Sequence, residues 1–305
     1  TYNGANRLPA VLDRLQNQTV PAHLKWEVIV VDNNSQDRIA AVVEHYQSSW
    51  RPDVRLRYAF EPIQGLAFAR QCGVDQAQGE FVGFLDDDNW PTENWVGEVV
   101  NFGRQYPKVG AYGGKTDAAF EAPPQIPIKP IAKFLALQDY GDRPYRLQPE
   151  RQILPAGAGL VIRRSAWLAC IPKQLVRTSQ GGDDYEISLR LAKYGWEIYY
   201  NPKMQIQHHI PASRLERSYL LQLTHRYGLC TCELMMIEAS PWRQPFLITK
   251  FSLGTLKRMT QHILRHGLQQ SDIALQCQMS FYQGNFMGIW HYLLNRFSRY
   301  RLPVN

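Results

Sequence analysis

Two short apolar runs that each end in acidic residues constrain the fold of this chain more than any other feature. Residues 26–32 are rich in β-branched side chains, and the run changes abruptly at Asp32 into the polar residues 33–37. Residues 81–85 form a second such run, which the acidic residues 86–88 follow. An apolar run that stops at a polar loop is typical of a buried strand in a sheet with helices on both faces.

Helical and strand-like segments alternate around these runs. Helical patterns cover residues 6–17, 38–48, 65–77 and 184–194, and further strand-like segments cover 54–59, 159–163 and 196–200. We therefore predict an α/β fold with a doubly wound, mostly parallel, Rossmann-like sheet and a helical C-terminal region from about residue 213. Ligands of such sheets lie beyond the carboxyl ends of the strands. We expect the Pro-rich residues 114–150 to be irregular.

Composition narrows the class of protein further. The 305 residues carry 34 Lys and Arg against 27 Asp and Glu, a net charge of +7. No run of about 18 uncharged apolar residues occurs, so we expect no membrane-spanning helix. An odd number of cysteines, five, indicates reduced thiols and a cytoplasmic setting rather than a disulfide framework. The chain opens on a turn-like string at Thr1 and not on a signal peptide, and we expect the start of a first strand to lie upstream.

The acidic residues after the second run predict a metal site. On an extended strand Asp86 and Asp88 share a face, whereas Asp87 points away. Two carboxylates about 4 Å apart repel by about 4 kcal/mol at an effective dielectric near 20, and a divalent cation removes that conflict. Oxygen ligands favour Mg²⁺ or Mn²⁺, which keep positions open for the oxygens of a diphosphate. The alternative is an acidic loop that caps the next helix.

Residues near the first run are candidates for nucleotide binding. Asp32 can accept a hydrogen bond from a ribose hydroxyl or a base, and Asn34 adds a donor and an acceptor. Arg70 can pair with a phosphate or stack on a base. The alternatives are an Asx turn at Asp32 and an ordinary surface charge at Arg70. No Gly-x-Gly-x-x-Gly string and no phosphate-binding loop occurs, which disfavours a dehydrogenase or an ATPase.

A second acidic cluster follows two glycines. Asp183 and Asp184 begin the predicted helix 184–194, where acidic residues are favourable through capping and the helix dipole. The preceding Gly-Gly pair suggests instead a mobile loop beside a general base. His208 and His209 follow the predicted strand 196–200, and we expect one of the two to ligate a metal that a carboxylate already holds.

Several motifs in order resemble one known family, the inverting nucleotide-sugar glycosyltransferases of family 2, which have the A-type glycosyltransferase fold. The resemblance covers roughly residues 1–212, and the stretch from His208 to Arg226 resembles the segment after the catalytic part in bacterial polysaccharide-biosynthesis members. It is carried by Thr1-Tyr2-Asn3-Gly4, Glu27-Val-Ile-Val-Val-Asp-Asn-Asn-Ser35, Gly65-Leu-Ala-Phe-Ala-Arg70, Phe84-Leu-Asp-Asp-Asp-Asn-Trp-Pro91, Ala156-Gly-Ala-Gly-Leu-Val-Ile-Arg-Arg164 and Gly182-Asp-Asp-Tyr-Glu-Ile-Ser-Leu-Arg-Leu191.

The resemblance implies a role for each matching residue. Asp184 would deprotonate the acceptor hydroxyl, and Asp183 stays open as the base because the family usually has Glu-Asp here. Asp88 would be the direct ligand of Mn²⁺ or Mg²⁺, supported by Asp86 and by His208 or His209. The residues implied in nucleotide binding are Thr1, Tyr2, Asn3, Asp32, Asn34, Arg70, Asp86 and Asp87. The implied regions are a nucleotide-sugar-binding half (1–113), an acceptor-binding and catalytic half (114–212) and a helical basic tail (213–305).

These residues predict transfer of a sugar from a UDP-, GDP- or dTDP-sugar to a saccharide or lipid-linked acceptor, with inversion and metal assistance, in polysaccharide or cell-envelope glycan biosynthesis. The alternatives are a sugar-phosphate nucleotidyltransferase and a non-catalytic module that binds a polyanion. We expect no nucleic-acid partner, because no recognition helix or stacking motif occurs. The apolar and basic residues of 246–268 and 281–302 predict helices that lie on an anionic membrane surface at the inner face of the cell membrane. Packing on the catalytic part or on a second copy, as a homo-oligomer, is the alternative.

Overall fold

The computed structural model of the chain describes residues 1–151, 153–175, 181–267 and 270–299. It contains α1 (Leu8–Gln16), β1 (Glu27–Asp32), α2 (Ile39–Ser49), β2 (Arg55–Phe60), α3 (Leu66–Gln76), β3 (Phe81–Gly83), β4 (Asn89–Pro91), α4 (Trp95–Gln105), β5 (Val109–Phe120), β6 (Tyr145–Arg146), β7 (Val161–Arg163), α5 (Arg164–Cys170), α6 (Asp183–Lys193), β8 (Glu197–Ile210), α7 (Arg217–Glu238), α8 (Gln244–His266) and α9 (Ile273–Arg299). These elements form two compact units. Unit 1 holds the described residues of 1–119, 136–179 and 183–210, and unit 2 holds those of 120–135, 180–182 and 211–299.

Unit 1 is built on two sheets. β1 pairs in parallel with β2, and a second sheet has the strand order β3-β7-β5-β8-β4, with β6 on β8. The α/β class is therefore as predicted, but the prediction of a mostly parallel sheet is wrong for the second sheet. There β7 runs antiparallel to both β3 and β5, and β8 runs antiparallel to both β4 and β6. A short apolar run looks the same whichever way its neighbour runs, so the sequence pattern alone does not give strand direction.

Helix α1 forms where the apolar periodicity of residues 6–17 predicts a helix. Leu8, Val11, Leu12 and Leu15 are all buried, and they share one hydrophobic core with residues of β1, β2 and α4. Between β1 and β3 lies a cavity of about 360 Å³ lined by both strands, α1 and α4. Thr1 stands at this cavity, and its nitrogen donates to the Val31 carbonyl at 2.9 Å.

Two strands extend into segments that were expected to be something else. β5 continues through residues 114–120, which were expected to be irregular, and Tyr112 in its first half is fully buried. β5 contains Gly110, Gly113 and Gly114, and glycine has low strand propensity, so the sequence pattern did not indicate a strand here. A Cβ on Gly114 would lie 1.6 Å from the Met204 carbonyl oxygen, so the close approach of β8 requires glycine there. β8 is also longer than predicted, and it carries His208 and His209 within the strand.

Unit 2 contains the helices α7, α8 and α9, as the pattern from residue 213 predicts. α7 and α9 approach each other backbone to backbone. A Cβ on Gly228 would lie 2.3 Å from the Phe281 carbonyl oxygen, and one on Gly284 would lie 2.2 Å from that of His225. Within the described ranges, no helix is long and apolar enough to cross a bilayer. All five cysteines lie in described segments and are free thiols, as predicted.

Candidate active site

The first residues of the chain connect the loops that follow β1 and β3. The Thr1 carbonyl accepts from the Asn33 amide at 3.0 Å, and the Thr1 hydroxyl donates to Asp87 Oδ2 at 2.5 Å. Arg7 donates to the same carboxylate, from Nε to Oδ1 at 2.7 Å. Both oxygens of Asp87 therefore accept hydrogen bonds from the first seven residues. The structure thus shows Asp87 organising this segment, and its predicted contact with a nucleotide stays a prediction.

Asn3 joins the same segment to the loop after Asp32. Its backbone is in the left-handed region (φ 47°), and its side-chain oxygen accepts from the Gln36 amide at 2.8 Å. The Ser35 hydroxyl accepts from the Asn3 amide at 3.0 Å. Tyr2, between these anchored residues, is 47% exposed. Tyr2 is the one aromatic residue of the first three, and its ring is exposed at the edge where we predict a nucleotide.

The Asp32 carboxylate lies in a cradle of protein donors. Its Oδ1 accepts from the Ser35 amide at 2.9 Å, and its Oδ2 accepts from the Tyr58 hydroxyl at 2.8 Å. Burial, and then this hydrogen bond, raise the pKa of Tyr58 to about 12. Asn34 has a left-handed backbone (φ 61°) and donates to the Pro62 carbonyl at 3.2 Å. Asp32 therefore forms the Asx turn that was the alternative to nucleotide binding. The same turn holds the carboxylate in place, where it can also accept a hydrogen bond from a ligand.

Arg70 forms the most buried ion pair of the site. Its Nη1 lies 2.6 Å from Asp183 Oδ2, and the two side chains are only 4% and 2% exposed. Arg70 is therefore not the surface charge that was the alternative reading. Its Nε is buried and has no hydrogen-bond partner among the described residues. One buried N–H on a fixed guanidinium is thus available for an oxygen of a ligand.

Asp184 lies near Arg70 as well, but it is Asp183 that forms the ion pair with Arg70. A Cβ built on Gly157 would lie 2.7 Å from Arg70 Nη2 and 3.0 Å from Asp184 Oδ2. These two charged atoms are therefore within about 6 Å of each other, and glycine leaves room for them. Burial, and then the neighbouring Asp183 charge, raise the pKa of Asp184 to about 6, although Arg70 and the backbone amides of Tyr185 and Gly157 oppose the rise.

Asp86 belongs electrostatically to the same cluster. Burial raises the pKa of Asp86, and the positive charge of Arg70 offsets part of that rise. The loop after β3 and the start of α6 are about 100 residues apart in sequence. The positive charge of Arg70, in α3, interacts with the carboxylates of both segments. The structure therefore brings together Arg70, Asp86, Asp183 and Asp184, and their predicted roles stay predictions.

Asp88 and His208 form a separate pair. Asp88 Oδ2 lies 3.6 Å from His208 Nε2, and both side chains are less than 10% exposed. His208 pairs with Asn89 in the β4–β8 ladder. Because neighbouring residues on a strand point to opposite faces, His209 points away, and it stacks on Trp90 with ring centroids 5.0 Å apart. The position of the histidines within β8 thus decides which of them faces the acidic loop.

The donor chemistry of this pair suits a divalent ion. Among the described residues no three His, Cys, Asp or Glu side chains converge to hold a metal on their own. Mg²⁺ and Mn²⁺ sites in phosphate-transferring enzymes use one or two protein ligands together with substrate phosphates and water. One carboxylate oxygen and one imidazole nitrogen, from Asp88 and His208, fit that requirement. Asp86 and His209, predicted with them, are not part of this pair.

Some residues of the site gave no separate signal in the sequence. Arg7 and Tyr58 hold Asp87 and Asp32, but an isolated Arg in a helix and a Tyr in a strand are common. Gly157 lies in the Ala-Gly-Ala-Gly motif that contributes to the resemblance, yet its role depends on two side chains from other elements. Only their spatial partners distinguish these residues.

Comparison with known proteins identifies the class. The model of glycosyl transferase family 2 matches residues 1–166, more than half of the chain. Succinoglycan biosynthesis protein ExoM of Rhizobium meliloti is 25% identical over 243 residues, which are 79% of this chain and 75% of that protein. A GalNAc(5)-diNAcBac-PP-undecaprenol beta-1,3-glucosyltransferase of Campylobacter jejuni is 37% identical over 91 residues, 29% of this chain and 28% of the relative. Mannosyltransferase PcManGT from Pyrobaculum calidifontis, solved with GDP-Man and Mn²⁺, matches with a TM-score of 0.60 at 18% identity, over 96% of this chain and 85% of that one.

This chain therefore belongs to glycosyl transferase family 2. It is a nucleotide-sugar-dependent glycosyltransferase with the A-type glycosyltransferase fold, and these three predictions are confirmed. The nucleotidyltransferase and the polyanion-binding module, kept as alternatives, are not supported. The residue roles and the three-region division stay predictions.

Proposed function

We propose that this enzyme transfers a sugar from a nucleotide diphosphate donor to a hydroxyl of a saccharide or lipid-linked acceptor, with inversion at the anomeric carbon and Asp184 as the base. The observation that carries this assignment is the contrast between two adjacent carboxylates. Asp183 forms an ion pair with Arg70 at 2.6 Å, whereas burial and the Asp183 charge raise the pKa of Asp184 to about 6. A base that titrates near the working pH transfers protons most effectively.

The chemical step is one displacement. The acceptor oxygen forms a bond to the anomeric carbon, and the bond from that carbon to the diphosphate oxygen breaks with its electron pair on the diphosphate. Asp184 takes the proton of the acceptor hydroxyl. The Gly157 amide, which donates to the Asp184 carboxylate, keeps that carboxylate oriented.

The donor end of the site is assigned to the strand-end loops. Asp32 and Asn34 with Thr1, Tyr2 and Asn3 form the edge for the base and ribose. Asp86, Asp87 and Arg70 border the diphosphate, where the unpartnered Nε of Arg70 can donate to a phosphate oxygen. Asp88 and His208 would hold Mn²⁺ or Mg²⁺, which supplies positive charge to the departing diphosphate. The Mn²⁺ in the mannosyltransferase complex supports this assignment by fold.

The acceptor end is assigned to a cluster of tyrosine rings. Tyr140 and Tyr145 are 40% and 36% exposed, and each packs against Tyr200. The segment that carries Tyr140 is tied to the loop before Gly157, because the Gln138 side chain accepts from the Ala156 amide at 2.9 Å. Exposed aromatic faces bind the apolar faces of sugar rings, so this cluster fits a saccharide acceptor.

Two relatives support a biological setting for this proposal. The names of the two sequence relatives place one in succinoglycan biosynthesis and describe the other as acting on an undecaprenol-linked glycan. By analogy, this enzyme assembles a polysaccharide or cell-envelope glycan from the cytoplasmic side, at the inner face of the cell membrane. The nucleotide is UDP, GDP or dTDP. Packing of the C-terminal helices on those of a second copy would give a homo-oligomer.

Calorimetric titration of UDP, GDP and dTDP, with and without Mn²⁺, tests the donor assignment. We expect Mn²⁺-dependent binding of one nucleotide, lost in Asp88→Ala and retained in His209→Ala, the matched control from the other face of β8. Equal affinity with and without metal would contradict the metal assignment. NMR then compares the anomeric configuration of the transferred sugar in the product with that in the nucleotide-sugar donor. Retention of the donor configuration would contradict the single displacement.

A further inference from the structure

The net charge of the chain is concentrated in one segment. Residues 239–305 contain eight Lys and Arg and one acidic residue, Asp272. Residues 1–238 contain 26 basic and 26 acidic residues, so the final segment accounts for the whole net charge of +7. α8 lies in this segment and contains no Asp or Glu. A concentration of one sign of charge on one element indicates a partner of the opposite sign.

α8 also has an exposed apolar stripe. Phe246, Leu253 and Leu264 are 69%, 64% and 80% exposed. They are separated by about two and three helical turns, so they lie on one line along the helix. The buried residues of α8, Thr255 and His262, lie on the opposite side. We call the stripe, together with Leu256, Lys250 and Lys257, the outer face of α8.

The two lysines lie within this face, because Lys257 is about three turns after Phe246 and about two turns before Leu264. Lys250 lies four residues after Phe246, and Lys257 lies four residues after Leu253, so each lysine is an immediate neighbour of an apolar side chain on the helix surface. Both lysines are exposed, and neither has an acidic partner among the described residues. Large exposed apolar side chains interspersed with lysines, whose long stems let the charged end reach the headgroups, fit a helix that lies in the plane of a membrane surface.

We propose that the outer face of α8 binds the surface of an anionic lipid bilayer, with the helix axis parallel to the membrane. Phe246, Leu253 and Leu264 enter the boundary between headgroups and acyl chains, and Lys250 and Lys257 contact lipid phosphates and carboxylates. A bilayer fits better than a second copy of this chain, because pairing two such faces would place lysines together with no acidic residue to offset them. The surface assignment rests on unit 2 alone, and only its consequence, access to a lipid-linked acceptor, rests on the proposed function.

Sedimentation with vesicles tests the surface without using catalysis. We expect the protein to sediment with vesicles of phosphatidylcholine containing about 30% phosphatidylserine at about 0.05 M salt, and to be released at about 1 M salt, where the Debye length is about 3 Å. Lys250→Gln with Lys257→Gln removes two surface lysines and should lower the partition coefficient about 30-fold, at about 1 kcal/mol each. Lys25→Gln with Lys108→Gln is the matched control, because it removes the same charge from exposed positions of unit 1.

A second pair of variants keeps the test independent of charge. Phe246→Ser with Leu253→Ser should lower the partition coefficient at least about tenfold, while thermal melting and nucleotide binding stay unchanged. No sedimentation of the unmodified protein, or equal losses in the Lys25/Lys108 control, would overturn the proposal. A dimer in light scattering that the serine variants convert to a monomer, without vesicle binding, would assign the face to a second copy and also overturn it. If the unmodified protein bound none of the nucleotides, that result would instead count against the proposed function.

Discussion

The charges around Asp184 should move the acid limb of the pH–rate profile in opposite directions. kcat/KM reports the ionisation of the free enzyme, so with Asp184 as the base it should fall tenfold per pH unit below about pH 6, the pKa of that carboxyl. Asp183→Asn removes a like charge and should shift the limb to lower pH. Arg70→Gln removes the positive charge that favours the ionised form of Asp184 and should shift the limb to higher pH.

The size of the shift follows from the geometry. Arg70 Nη2 and Asp184 Oδ2 lie within about 6 Å of each other, since a Cβ on Gly157 would be 2.7 Å from one and 3.0 Å from the other. At an effective dielectric near 20 this separation gives about 3 kcal/mol, or about 2 pKa units, and partial solvation reduces it to about 1–2 units. The double variant removes one charge of each sign, so its limb should return to within about one unit of pH 6.

The assay is initial-rate kinetics between about pH 4.5 and 8.5 with the donor identified by calorimetry. Each single variant leaves a buried charge without its partner, at a cost of about 3–5 kcal/mol, so melting curves must first show that the variants are folded at the assay temperature. An acid limb that stays in place in both folded single variants would refute Asp184 as the base. Residual activity in Asp184→Asn at the unmodified level would refute it as well.

Three further changes test the metal pair, the site glycine and the helix contact. His208→Ala should raise the Mn²⁺ concentration for half-maximal rate by about 10–100-fold, and His209→Ala should have a far smaller effect, as measured by metal titration of the rate. Equal effects would contradict the role of His208 as a metal ligand. Gly157→Ala should lower kcat/KM by about 100-fold with little change in Tm, because its Cβ would displace the base; an unchanged rate would show that the contact yields. Gly284→Ala should destabilise unit 2 by about 2 kcal/mol or more in denaturant unfolding, because its Cβ would lie 2.2 Å from a carbonyl oxygen of α7. Gly254→Ala on α8, with nothing within 4 Å, should instead add about 1 kcal/mol; losses of the same size in both would refute the packing argument.

Local patterns were sufficient where a local cause decides the structure. The apolar face of α1 and the strand Glu27–Asp32 follow from periodicity and β-branched composition, and both occur within a residue or two of the predicted bounds. The same approach failed for residues 114–120, because the close approach of the Met204 carbonyl in β8 requires glycine at position 114, and glycine lowers strand propensity. Propensity is a property of the residue, whereas that close approach is a property of the packed sheet.

The site shows the same division. Asp86, Asp88 and Asp184 were candidates because carboxylates at a strand end and at a helix start are chemically suited to metal and proton transfer. Whether Asp183 or Asp184 is available as the base depends on which one pairs with Arg70, a residue more than 100 positions earlier in the chain. No spacing rule carries that information.

The sequence by itself determined the α/β class, the helical basic tail, the acidic loops and the residue types for nucleotide-sugar transfer, because each depends on short-range pattern or on the chemistry of single side chains. Only the tertiary structure decided strand direction, which of His208 and His209 lies beside Asp88, the buried Arg70–Asp183 pair and the raised pKa of Asp184. These properties depend on distances and burial between segments that are remote in the chain. Electrostatic energy varies with both, so the same carboxylate is a structural partner at residue 183 and a candidate base at residue 184.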